Sequence, residues 1–125
     1  MLLLDTSSLI DVFINRKGSE KIREYVRNKE YTVSSITVYE LYKAKYLDQR
    51  LEHFLRNIDI IDFSFLPAEH ASKIFITLKN NGISINEMDI LIAGVATSHQ
   101  LELITKDKDF EKIKKIIPTF QVTVF

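Results

Sequence analysis

The sequence predicts an α/β domain of three layers, α/β/α, with a central, mainly parallel sheet of four to five strands. Three observations predict it. Short apolar runs alternate with longer amphipathic segments along the whole chain, and strands alternating with helices give parallel sheets covered on both faces. The chain has 125 residues, 46% of them hydrophobic, which suits one core, so residues 1–125 are expected to form a single domain. Only 3 Gly and 2 Pro are present, too few for a loop-rich or disordered chain.

The elements follow in order. Residues 2–4, three leucines, read as a buried strand. Residues 7–15 read as a helix, with Leu9, Ile10, Phe13 and Ile14 at helical spacing, broken by Lys17-Gly18. Residues 19–28 read as a second helix, with Ile22, Tyr25 and Val26 on one face. Tyr31, Thr32 and Val33 suit a strand. A helix is expected over 36–47, continued or followed by 49–56, and a third strand over 58–63, which contains Ile58, Ile60 and Ile61. Pro67 fits the first turn of a helix that stops at Asn80-Asn81-Gly82. Residues 86–100 form a helix that is apolar on most sides, hence deeply buried. A strand over 101–104, a short helix over 109–115 and a last strand over 120–125, after Pro118, complete the chain.

Composition excludes several classes. Lys and Arg number 17 and Asp and Glu 17, so the formal charge is zero and the chain is no polybasic coat. There is no Cys, which excludes a disulfide scaffold, a zinc finger, an iron–sulfur site and a thiol nucleophile. The apolar start is interrupted at Asp5 and Asp11, unlike a signal peptide, and no window resembles a membrane span. A cytoplasmic protein with no membrane association is expected.

Parallel sheets bind ligands outside the carboxyl ends of their strands. Four acidic positions fall at that edge. Asp5 follows the first strand directly, and it reads either as a helix cap or as a site residue. Glu40 lies a turn into the helix after the second strand, where Thr37 as cap would make it part of a capping box. Asp89 is embedded in Met88-Asp89-Ile90-Leu91-Ile92-Ala93, and a charge in such a run needs a partner or a metal. Asn86 could cap that helix, but Ser84 with Glu87 forms an equally good capping box, which would leave Asp89 without a capping duty. Asp107 and Asp109 follow the fourth strand; Asp107 is nearer its end and is favoured for the site, with Asp109 as cap or peripheral ligand. Carboxylates crowded together repel one another. A divalent cation resolves the conflict, and oxygen-only donors point to Mg²⁺ or Mn²⁺. Such sites serve phosphoryl chemistry.

These residues also carry a resemblance. Leu4-Asp5-Thr6-Ser7-Ser8-Leu9-Ile10 resembles the opening motif of PIN domains, and Ser35-Ile36-Thr37-Val38-Tyr39-Glu40-Leu41 is similar to their second. Asp89-Ile90-Leu91-Ile92-Ala93 resembles the third, and Leu103-Ile104-Thr105-Lys106-Asp107-Lys108-Asp109-Phe110 the fourth. Order and spacing fit over essentially the whole chain, and a domain of this size looks most like the VapC-type toxins. The resemblance implies a PIN-like fold and a Mg²⁺- or Mn²⁺-dependent endoribonuclease. It implies Asp5, Glu40, Asp89 and Asp107 as catalytic acids, with Asp5, Asp89, Asp107 and Asp109 toward metal. Thr6, Ser7 and Thr105 match supporting polar positions. It also implies an RNA substrate (tRNA, rRNA or mRNA), a VapB-type antitoxin and a homodimer. Gly94 departs from the pattern, since many relatives have Ala there, and should loosen its helix slightly.

Arg16, Lys17, Lys43, Lys45, Lys106 and Lys108 lie near enough in sequence to the acids to meet an RNA backbone; each alone also reads as a solvated charge. Tyr39, Tyr42, Tyr46 and Phe54 read as partner surface or as packing. His53, His70 and His99 have no acid–nucleophile partner in any motif. Two other classes fit less well. A phospho-acceptor receiver would need paired acids after the first strand, and a haloacid-dehalogenase phosphatase a second Asp two residues after Asp5, where Ser7 stands. A catalytically silent PIN-like binding module remains the alternative.

Overall fold

The sheet runs, from edge to edge, β2 (Tyr31–Thr32), β1 (Leu2–Leu4), β3 (Glu102–Thr105) and β4 (Val122–Val124). The computed structural model describes residues 1–45 and 47–125. After β1 come α1 (Thr6–Phe13), α2 (Glu20–Val26), β2 (Tyr31–Thr32), α3 (Ser35–Ala44) and α4 (Gln49–Arg56). They are followed by α5 (Phe65–Asn80), α6 (Glu87–Ser98), β3 (Glu102–Thr105), α7 (Asp109–Ile116) and β4 (Val122–Val124). All three strand pairings are parallel, in the register Leu3 to Thr32, Leu4 to Ile104 and Ile104 to Thr123. All four carboxyl ends therefore share one edge.

The period-two alternation of strand side chains builds the layers. Leu2, Leu4 and Ile104 pack with Leu9, Ile22, Leu41 and Leu51, so α1 to α4 cover one face. Leu3 and Leu103 pack with Ile74, Leu78, Ile92, Phe110 and Phe120, so α5, α6 and α7 cover the other. Full burial of each such side chain stabilises the fold by about 1.5–3 kcal/mol.

Three expectations change. Residues 58–63 form no regular strand. Ile61 makes a single parallel bridge to Ser34, with Ser35 N donating to Ile61 O at 2.9 Å and Ile61 N to Val33 O at 3.0 Å. The ladder stops because its partner turns into α3 at Ser35. Side-chain hydroxyls then take the neighbouring backbone groups: Thr32 Oγ1 donates to Asp59 O at 2.7 Å and Ser35 Oγ accepts from Phe63 N at 3.0 Å. Second, the helix expected over 36–47 ends at Ala44, where Lys45 adopts φ 59°, and α4 starts afresh with Asp48 accepting from Leu51 N at 2.8 Å. Position 46 lies outside the described residues. Third, Gly94 has a packing role beyond its weak helix propensity: it lets α6 approach α5. A Cβ there would lie 2.7 Å from Ala71 Cβ and 2.7 Å from Pro67 O. The predicted stop of α5 is present, with Gly82 at φ 69° and Ile83 N donating back to Leu78 O at 2.9 Å.

Candidate active site

Each acidic position reaches the carboxyl edge by its own local device. Asp5 is the first residue past β1 and caps α1. Its Oδ1 accepts from Ser8 N at 3.0 Å, from Ser8 Oγ at 2.6 Å and from Ser7 Oγ at 3.3 Å. Its Oδ2 accepts from Thr105 Oγ1, across from the end of β3. Cap and site position thus coincide in one buried carboxylate. Burial pushes the Asp5 carboxyl above its usual range, and the hydrogen bonds from Ser8 and Thr105 pull against that rise.

Glu40 is not part of a capping box. Ser34 caps α3, accepting from Thr37 N at 3.3 Å, so Thr37 is three residues into the helix and Glu40 six. The Glu40 carboxylate turns instead to the first turn of α1, where Thr6 Oγ1 donates to its Oε1 at 2.6 Å. Asn86, not Ser84, caps α6, accepting from Met88 N at 2.8 Å. Asp89 is therefore the third helical residue, and its carboxyl lies beside that of Asp107. Asp107, not Asp109, stabilises the start of α7: its Oδ1 accepts from Asp109 N at 2.9 Å, and Thr105 Oγ1 accepts from Asp107 N at 3.0 Å. Asp109 Oδ1 lies 3.1 Å from Lys112 Nζ.

Asp89, Asp107 and Asp109 each place an oxygen within 4.8 Å of the other two. Asp5 and Glu40 stand close enough to act on Asp89 through space. Burial pushes the Asp89 carboxyl up to about 7, helped by Asp107 and then by the charges of Asp5 and Glu40. A buried carboxyl crowded by other acids is what a divalent cation would relieve. The donors are all oxygens and converge within 4.8 Å of one another, so the residues fit a hard cation.

Two groups at this edge escaped the sequence reading. Ser8 is buried, and its hydroxyl lies 2.6 Å from both Asp5 Oδ1 and Ile104 O. A Ser three residues past a capping Asp was the available signal. Asp11 is fully buried on α1, paired with Arg16 and with Lys106 Nζ at 2.9 Å. It lies in Leu9-Ile10-Asp11-Val12-Phe13, the same charge-in-an-apolar-run pattern that singled out Asp89. Of the aromatic candidates, Phe54 packs on Phe13 and Tyr31, whereas Tyr39 and Tyr42 are about half exposed (52% and 49%).

Comparison with known proteins agrees with this geometry. The PIN domain model matches residues 2–116. The chain is 35% identical over 120 residues to a Haemophilus influenzae protein named ribonuclease VapC2, covering 89% of this chain and 90% of that one. It is 29% identical over 119 residues to the tRNA(fMet)-specific endonuclease VapC of Shigella flexneri, covering 89% of this chain and 90% of that protein. Among solved structures, DNA-bound VapBC from Salmonella typhimurium superposes with a TM-score of 0.77 at 27% identity, over 99% of this chain and 98% of the other. VapBC-1 from nontypeable Haemophilus influenzae gives 0.74 at 26%, over 98% and 96%. A parallel four-stranded sheet with acids gathered at its carboxyl edge, matched by one family model over nearly its whole length, leaves one conclusion: the chain belongs to the PIN domain family.

Proposed function

We propose that this chain, as a single domain over residues 1–125, is a divalent-metal-dependent endoribonuclease and the toxin of a VapBC-type toxin–antitoxin module. The observation that carries the reading is the convergence of Asp89, Asp107 and Asp109, with oxygens within 4.8 Å of one another, at the carboxyl edge of the sheet. Its relatives named as VapC ribonucleases, and the VapBC complexes that share its fold, support it.

Asp5, Asp89 and Asp107 would hold Mg²⁺ or Mn²⁺, with Asp109 as a further ligand. The cation supplies positive charge against a phosphodiester and a lowered pKa for water. The protein supplies position. Thr6 fixes one oxygen of Glu40, so the carboxylate has a set direction in which to bind the cation or orient the attacking water. Thr105 and Ser7 hold Asp5 against rotation. By the family resemblance the products would carry a 5′-phosphate and a 3′-hydroxyl, and no covalent enzyme intermediate is needed. The substrate is RNA (tRNA, rRNA or mRNA), and the partners are a VapB-type antitoxin and a second copy of the chain. Among the described residues no helix is long and apolar enough to cross a membrane; a cytoplasmic location goes with the proposed substrate.

The test is 5′-end sequencing of total RNA incubated with the protein and Mn²⁺, with Asp89→Asn as control. New 5′-phosphate ends at one or a few positions, absent with the variant, are the expected result. No new ends at any protein concentration would overturn nuclease activity on that RNA and favour a silent binding module.

A further inference from the structure

A second charged cluster lies against the acidic edge and is built from different residues. Asp11 on α1 has no exposed side-chain surface. Arg16 Nε bonds its Oδ1, and Lys106 Nζ stands 2.9 Å from its Oδ2. Taking a carboxylate out of water is costly and is tolerated only when well paired; an apolar side chain in a helix face would serve packing without that cost. The cluster therefore asks for a use outside packing.

Both cations are tied to the candidate active site. Lys106 sits in the chain between Thr105, which binds Asp5, and Asp107. Arg16 Nη2 also donates to Ser7 O at 3.4 Å, and the Ser7 hydroxyl contacts Asp5. The side chains of Arg16 and Lys106 are 43% and 33% exposed, so their charged ends also reach water. An ammonium carries three N–H donors and a guanidinium five, and one carboxylate does not exhaust them. Two cations on one anion leave one unit of positive charge beside a strongly negative edge.

We propose that Arg16 and Lys106 are a pair of RNA phosphate-binding cations at the rim of the active site, and that Asp11 is the positioning residue that holds them there. This rests on the ribonuclease reading above. The chain as a whole is neutral, with 17 basic and 17 acidic side chains, so overall charge draws no polyanion toward it. The acidic edge repels RNA. Free lysine and arginine side chains this close would also fold onto the site carboxylates and compete with the cation for them. The buried Asp11 anchors both, holds them off Asp5 and Asp107, and leaves their remaining donors free for a phosphate backbone.

The experiment measures cleavage of total tRNA in Mn²⁺ across a salt series, giving KM and kcat for the wild type, Lys106→Met, Arg16→Met, Lys106→Arg and Asp11→Asn. Lys21→Met, a change on the outer face of α2, is the charge-matched control. Urea melts confirm that each variant is folded. Lys106→Met and Arg16→Met are expected to raise KM about three- to tenfold, mostly sparing kcat, and each to reduce the slope of log KM against log salt by ~0.7, the value for one lost single-strand phosphate contact. Lys106→Arg should restore the slope, and Asp11→Asn should lower it like the cation variants. A purely structural cluster would move the urea midpoint and leave the salt slope alone. Wild-type cleavage with unchanged slopes in folded Lys106→Met and Arg16→Met overturns this inference and leaves the ribonuclease reading intact. No cleavage of any RNA by the wild type overturns both.

Discussion

Replacing Asp89 with Asn should make the metal-free protein more stable at alkaline pH while abolishing metal-dependent cleavage. The Asp89 carboxyl is pushed from 3.8 to about 7, by burial first and then by Asp107, Asp5 and Glu40. A folded-state value above the unfolded one means that folding favours the protonated form. That contribution to stability is complete below 3.8 and is lost as pH rises through about 7. The shift spans about 3 units at 1.36 kcal/mol each, a ceiling of about 4 kcal/mol. The site is open to water, and screening reduces this to about 1–2 kcal/mol. Asn keeps the shape and removes the charge, so it escapes the loss. Urea melts in EDTA are the assay. At about pH 8 the variant should exceed the wild type by about 1–2 kcal/mol, and at about pH 4 the two should nearly coincide. Saturating Mn²⁺ should then stabilise the wild type, by about 2.7 kcal/mol at a hundredfold excess over Kd, and the variant much less. The gain should shrink at low pH, where protons compete for the same oxygens. A variant less stable than wild type at alkaline pH without metal would refute the reasoning, because Asp89 would then be held by a favourable contact rather than strained by like charge.

Other outcomes follow from neighbouring contacts. Gly94→Ala should destabilise the fold, since a Cβ 2.7 Å from Pro67 O and 2.9 Å from Ala71 N forces α5 and α6 apart. The overpacking cost of about 1–3 kcal/mol should outweigh the ~1 kcal/mol that Ala gains in helix propensity, and a urea midpoint at or above wild type would contradict this. Thr6→Val removes the hydroxyl that fixes Glu40 and should lower kcat on RNA about tenfold with little change in urea midpoint, as expected of a residue that orients an acid rather than holding the fold. Ser8→Ala should cost about 1–3 kcal/mol, because Asp5 stays buried with one donor fewer, and should raise the pH at which metal binding is half-complete. An unchanged metal titration in Ser8→Ala would show that Thr105 and the Ser8 backbone suffice.

Much of this architecture was legible because local signals agreed with the global pattern. The three leucines of β1, the Asn80-Asn81-Gly82 stop and the apolar α6 each lie where their chemistry puts them. Three of the failures share a cause: a partner remote in sequence. The isoleucines of residues 58–63 have strand chemistry, but a ladder needs a neighbour of equal length, and β2 gives way to α3 at Ser35. Gly94 looks like a weak helix residue until Pro67 and Ala71, about 25 positions earlier, are brought against it. Asp11 becomes intelligible only when Lys106 arrives from the end of the neighbouring strand β3.

The acids raise a sharper point. Weighing capping against function treats the two as rivals, yet for Asp5 the geometry allows both. An N-cap carboxylate uses one oxygen on the backbone N–H groups of its own helix, which leaves its second oxygen for another partner. Asp5 caps with Oδ1 and reaches Thr105 with Oδ2; Asp107 closes the turn into α7 with Oδ1 while offering an oxygen to the cluster with Asp89 and Asp109. In a parallel sheet, helix starts follow strand ends, so capping positions gather at the edge where ligands bind. A capping acid there is thereby fixed in rotamer without further cost, the rigidity a metal ligand needs. Sequence patterns consistent with a cap should therefore raise, not lower, the expectation of a site when the cap directly follows a parallel strand. Asp5→Asn separates the two roles: Asn still caps, so the urea midpoint should hold within about 1 kcal/mol, while metal binding and cleavage are lost. Loss of the fold with the activity would show that the charge, and not only the cap, holds α1 to the sheet.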